Sequence, residues 1–208
     1  MPVVNYQQNQ QMSCAAACLC AAALELGKAP AVPAFIFSPP PAYYNQFVAA
    51  LNNRHLPFTV PNIGTWEIGI YDISSQNQQW NQESRPQGIV EAAICLGMAP
   101  EVRIADRTKL GRRHPLDYPY EEAACNALAL NAGTPQVLHL NRTHMGEINL
   151  MPNQRAMHCV RNGINRHWVL QRPDNTYMDP ADGLTHNSRA ALKTTGPYHG
   201  TGLAIVLS

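Results

Sequence analysis

Charge is scarce in this chain. Only 14% of its 208 residues are Asp, Glu, Lys or Arg, and these nearly cancel to a net charge of +1. Neutral amides carry the polarity instead: Asn and Gln (30) outnumber the charged side chains (29). Such a balance offers no bulk electrostatic grip on nucleic acid or on an anionic membrane, so neither is expected as a partner. Long apolar runs are missing too, and none approaches the ~18–20 residues that a membrane helix needs. The run AAACLCAAAL lacks the basic lead-in of a signal peptide, because residues 1–13 contain no Lys or Arg. A cytoplasmic location or export by a specialised machine is expected. Only 13 residues precede Cys14, so no long inhibitory leader is expected within this chain: either this is a mature form, or control falls to another device such as an inhibitor or immunity partner.

Cysteine is also too sparse for a disulfide scaffold, at six in 208 residues. No paired CxxC motif occurs, and Cys14-x3-Cys18-x-Cys20 matches no common zinc spacing. No metal and no cofactor are expected. Cys95 and Cys125 sit in apolar helical patterns and read as small buried hydrophobes.

What the sequence does have is an abrupt change at QNQQMSCAAACLCAAALELG. Glutamines give way to a helix over residues 14–26, with Ser13 as N-cap and Gly27 at its C-terminal end. That helix is apolar all round, so it should be buried on most sides. Further along, TWEIGIYD reads as a strand and SSQNQQWNQES as an exposed polar loop. IVEAAICLGM reads as a helix stopped near Gly97, EVRIAD as a strand, and YEEAACNALALNAG as a helix ending at Gly133. The proline-rich stretch KAPAVPAFIFSPPPA reads as a connector, YYNQFVAALNN as a helix, and RTKLGRRHPLDYP as a surface loop. The last third changes to short strands: QVLHLN, MHCVR, RHWVLQ, TYMD and LAIVLS. Helices first and then an antiparallel sheet make an α+β class.

Cysteine is a nucleophile as its thiolate, a form favoured at a helix N-terminus and beside a histidine. Cys14 occupies such a position, whereas Cys18 and Cys20 lie deeper. The base needs a third group to hold it. A hairpin turning around Pro173 would set His167 directly opposite Asp179, six residues to either side, and place imidazole beside carboxylate. A turn at Asn162-Gly163 would set His158 opposite His167, as a rival base or a residue lining the site. His139 lies on a neighbouring strand with no evident acid. His55, His114, His144, His186 and His199 sit in loop-like contexts and read as solvated.

These residues together resemble the papain-like cysteine peptidases. The likeness rests on Gln8-x5-Cys14-Ala15-Ala16 opening an apolar helix, and on AGTPQVLHLN. It also rests on His167-Trp168-Val169 followed by Tyr177-Met178-Asp179-Pro180 and Gly183. The compact bacterial members, the bacteriocin leader peptidases and the secreted effector proteases of plant pathogens, are the nearest in pattern. Two features depart from it: Ala15 stands where many relatives have Trp or Gly, and the His–Asp interval is short. The resemblance implies one catalytic domain over residues 1–208, with a helical lobe to about 131 and a sheet lobe from about 132. It implies a monomeric cysteine peptidase that attacks a protein or peptide, as a bacterial effector or toxin. Cys14 would be the nucleophile, His167 the base and Asp179 its support. The Cys14 backbone N–H and the Gln8 side chain would meet the oxyanion, and Trp168 would pack beside the triad. An amidase, deamidase or transglutaminase would use the same thioester, and a non-catalytic binding protein would use only the shell.

Overall fold

A computed structural model of the chain describes residues 2–30, 57–76, 83–105, 119–133, 137–141, 145–162, 165–195 and 198–208. The expected helix at YYNQFVAALNN, the loop RTKLGRRHPLDYP up to Tyr118, and most of the proline-rich connector lie outside these residues.

The fold is α+β. Five α-helices are described: α1 (Cys14–Glu25), α2 (Ile63–Ser74), α3 (Pro86–Cys95), α4 (Pro119–Ala132) and α5 (Arg189–Thr195). Seven strands form one sheet: β1 (Pro100–Ala105), β2 (Leu138–Leu140), β3 (Arg155–Asn162), β4 (Asn165–Gln171), β5 (Tyr177–Asp179), β6 (Leu184–His186) and β7 (His199–Leu207). Their order is β2-β1-β7-β3-β4-β5-β6. The sheet is mixed rather than purely antiparallel, because β1 and β2 run parallel. β1, from the helical half of the chain, lies within the sheet beside β7.

α1 is buried from Cys14 to Ala23. Its alanines let α2, α3 and β4 approach closely, and it ends at Gly27 in the left-handed region (φ 66). Ser13 stands at the N-cap position, but its side chain makes no capping bond. TWEIGIYD is not a strand but the middle of α2. Ile63, Trp66, Ile70 and Ile73 are buried at helical spacing, and this face outweighs the strand propensity of the β-branched and aromatic residues. Nor is SSQNQQWNQES wholly exposed: Ser74 ends α2, Ser84 is buried, and their hydroxyls lie 2.8 Å apart.

Alternation along the strands sorts the side chains into two layers. Met157, Cys159, Trp168, Leu170 and Met178 join the main core with α1. Val160, Val169 and Tyr177 join Leu192 of α5 on the opposite face. A buried ionic knot ties the ends of the elements together. Glu25 Oε2 accepts from Arg155 Nε at 2.5 Å, and its Oε1 accepts from Arg172 Nε at 2.9 Å. Oε1 also takes the Val4 N–H at 3.0 Å, while Arg172 donates on to Val4 O and Thr185 Oγ1, each at 2.9 Å. One carboxylate thus joins α1, β3, the β4–β5 turn and the N-terminal segment.

Candidate active site

Cys14 opens α1, where the first-turn N–H groups of a helix have no intrahelical acceptor and favour negative charge. One turn further on, the Cys18 thiol lies 3.5 Å from the Trp168 carbonyl. That contact seats α1 on β4 beside His167, the residue before Trp168. All six cysteines are free thiols, and Cys14, at 8% exposure, is the most accessible of them. Burial pushes the Cys18 thiol well up and the Cys159 thiol to about 12. Both stay protonated and inert near neutrality.

His167 Nε2 lies 2.6 Å from Asp179 Oδ1. Cys14 is within hydrogen-bonding reach of the same imidazole, and because Nε2 is engaged, Nδ1 is the nitrogen left for the sulfur. Burial alone would lower the proton affinity of His167. The Asp179 hydrogen bond and the Cys14 contact outweigh it and raise the pKa to about 10. Burial likewise works against the Asp179 carboxylate, but the His167 contact and the Ala181 N–H, 2.9 Å from Oδ1, hold its pKa below the ordinary value.

The pairing behind this geometry differs from the expected one. Leu170 is opposite Met178 and Gln171 opposite Tyr177, so the turn is centred on Asp174 rather than Pro173. Asn175 takes the left-handed position (φ 62) that a three-residue loop requires. Asp174 Oδ1 caps the Thr176 N–H at 3.0 Å. The register is displaced by two residues, and an even slip leaves side chains on the same face. His167 and Asp179 therefore meet diagonally. The β3–β4 pairing is displaced in the same way: His158 is opposite Val169, and His167 is opposite Val160.

His158 is buried at 3% exposure, and its Nε2–H donates to Gln171 Oε1 at 2.7 Å. Burial drives its pKa down to about 4, so it is neutral in the fold. The same Gln171 bridges to the Ile148 backbone and to Asn175, so His158 belongs to a buried hydrogen-bond network with these groups. Trp168 lies in the core with α1. Gln8 is close at hand, with its backbone N–H donating to Pro180 O at 2.8 Å. Its side-chain amide, however, donates to the Gln10 and Gln11 carbonyls at 2.7 and 2.9 Å, and its Oε1 is buried without a partner.

The sequence model of one family, described as invasion plasmid antigen J, cysteine protease, matches residues 6–208. The chain belongs to this family. No curated protein matches it. The antigen J match spans Cys14, His167 and Asp179, and a protease implies protein substrates.

Sequence reading missed two residues that the structure places at these candidates. Tyr198 stacks on His167, with ring centroids 5.2 Å apart and planes at 19°. Burial, then the Asp179 charge and a hydrogen bond to Asp179, raise its pKa to about 12. No local pattern marks it in TGPYHG. The second is Glu67 of α2, whose carboxyl bonds the hydroxyl of Ser13, the residue before Cys14. His139 does have an acid, Glu122 at 2.7 Å, but on an exposed surface. His186 is buried on β6 and paired with Asp182 at 3.2 Å rather than solvated. His199 is exposed, and His55, His114 and His144 lie outside the described residues. Among the described residues one group has metal-ligand geometry: Asp179, Asp182 and His186, with donor atoms within 4.8 Å of one another. Asp179 of this group is already bonded to His167 through Oδ1. No described helix is long and apolar enough to cross a membrane.

Proposed function

We propose that this protein is a peptidase of the papain-like kind, working through Cys14, His167 and Asp179. The observation that carries this reading is an imidazole held at Nε2 by Asp179 while its other nitrogen is offered to Cys14. The Cys14 sulfur attacks the scissile carbonyl carbon, and the carbonyl oxygen becomes an oxyanion. The backbone N–H of Cys14 meets that oxyanion, and Gln8 joins it by exchanging one of its carbonyl partners for the substrate. His167 gives its Nδ1 proton to the departing amine nitrogen as the C–N bond breaks, leaving a thioester on Cys14. Water, deprotonated by the same nitrogen, attacks the thioester. The C–S bond breaks and the acid is released. Asp179 orients His167 and stabilises its charged form, and Tyr198 covers the pair from one side.

The family's description as an invasion antigen supports a role as a bacterial effector acting on a protein of another cell. The first experiment is iodoacetamide labelling of Cys14, read by mass spectrometry at about pH 6 and about pH 8.5, in the native chain and in His167→Ala. Fast labelling at the lower pH that collapses in the variant is expected. Casein should then yield new peptide termini without release of ammonia. Slow labelling in both proteins, rising only near the ~8.5 of an ordinary thiol, would sink the catalytic reading.

A further inference from the structure

We propose that Glu67 is a positioning residue for the nucleophile, holding the segment Tyr6–Ser13 so that the oxyanion side of Cys14 is formed. This rests on the peptidase reading above.

Glu67 lies on α2 and is 0% exposed. Its hydrogen-bond partners among the described residues are all neutral and all come from the run leading into Cys14. The Tyr6 hydroxyl donates to Oε2 at 2.5 Å, the Asn9 backbone N–H reaches both oxygens at 3.1 Å, and the Ser13 hydroxyl bonds Oε1. Ser13 is the residue immediately before the nucleophile, which explains why its hydroxyl does not cap α1. The Gln10 N–H reaches the same Ser13 oxygen at 3.2 Å, and the Gln8 amide ties down the Gln10 and Gln11 carbonyls. One carboxyl group therefore fixes the start, the middle and the end of this segment.

α2 is also built to let the segment come close. A β-carbon at Gly64 would stand 2.5 Å from Asn9 Nδ2 and 3.2 Å from the Tyr6 hydroxyl. A buried carboxyl costs stability unless its hydrogen bonds are satisfied, and this one has no cationic partner among the described residues. The ionic knot at Glu25, by contrast, joins a carboxylate to two arginines. An uncompensated acid behind the nucleophile loop is better explained by the shape it imposes there than by stability.

The test separates two reactions of one sulfur. Alkylation by iodoacetamide needs the thiolate but no oxyanion site. Acylation by p-nitrophenyl acetate passes through a tetrahedral oxyanion. Both are measured on the full chain, native and as Glu67→Gln and Tyr6→Phe, with acetyl-Cys14 verified by mass. Glu67→Gln keeps the shape but puts an N–H where Tyr6 or Asn9 donates. The expected result is acylation slowed roughly 10- to 100-fold in Glu67→Gln and less in Tyr6→Phe, with alkylation changed by no more than about twofold. Equal acylation in all three proteins would overturn the role of Glu67 and leave the peptidase reading standing. A parallel fall in both reactions would assign Glu67 to the fold alone and also overturn it. Fast alkylation of the native chain without any acylation of Cys14 would remove the oxyanion site itself, and both readings with it. If Glu67→Gln does not fold, Tyr6→Phe, which keeps the carboxyl, decides by the same ratio.

Discussion

The His167 Nε2–H and the Ala181 N–H both point at a single atom, Oδ1 of Asp179, at 2.6 and 2.9 Å. That shared acceptor fixes how the carboxylate is turned and which imidazole nitrogen faces Cys14.

Substitutions at Asp179 should therefore be graded. Asp179→Asn keeps one oxygen for both donors and loses only the charge, whereas Asp179→Ala loses everything. Peptidase activity should fall in the order native, Asn, Ala, with the Ala variant down by roughly 100-fold or more. The charge also helps raise the His167 pKa to about 10. A raised histidine pKa favours the fold below the unfolded value of about 6.5, and this contribution is lost as the pH climbs through about 10. In Asp179→Asn the loss should be complete at lower pH. Urea melts of both proteins between about pH 6 and pH 10 measure this, and identical pH profiles would contradict it.

His158 carries the opposite sign. Its pKa is lowered to about 4 by burial, so the folded chain resists a proton that the unfolded chain accepts below about 6.5. The stability it supports is intact above about 6.5 and drains away as the pH falls toward about 4, by up to about 1.4 kcal/mol per pH unit. His158→Gln, which still offers an N–H to Gln171, should flatten that slope while leaving Cys14 labelling unchanged. Loss of labelling would return His158 to the chemistry.

Glu25 tests the knot far from the site. Glu25→Ala leaves Arg155 and Arg172, both almost fully buried, without their anion, and should cost about 3–5 kcal/mol in chemical denaturation. A change below about 1 kcal/mol would mean that water reaches both arginines.

Local patterns made α1, α3 and most strands of the last third legible, but not β6, whose Leu184–His186 is too short to alternate. The uniform alanine and leucine run and the alternating strands each state their surroundings directly. TWEIGIYD was ambiguous because tryptophan, isoleucine and tyrosine favour strands; only by extending back to Ile63 and on to Ile73 does the helical face appear. The turn centre in RPDN was misjudged by one residue, because Asn175 and not Pro173 supplies the unusual backbone angle. The even displacement that followed did not separate His167 from Asp179. Glu67 and Tyr198 were illegible for a different reason. Glu67 bonds partners 54 to 61 positions away, and Tyr198 reaches His167 from the segment just before β7. No spacing rule spans such distances.

Gly183 shows how closely the two halves of the site are joined. It lies in the left-handed region (φ 71), and a β-carbon there would meet Gln7 at 2.9 Å.

β7, the last strand in sequence order, lies inside the sheet between β1 and β3. Strands drawn from distant parts of a chain must close long loops before they pair. During synthesis, a ribosome that has released everything up to residue 198 has delivered Cys14, His167 and Asp179, but not the strand that joins β1 to β3. The sheet can therefore close between its two halves only when residues 199–207 emerge, after every candidate site residue has been made.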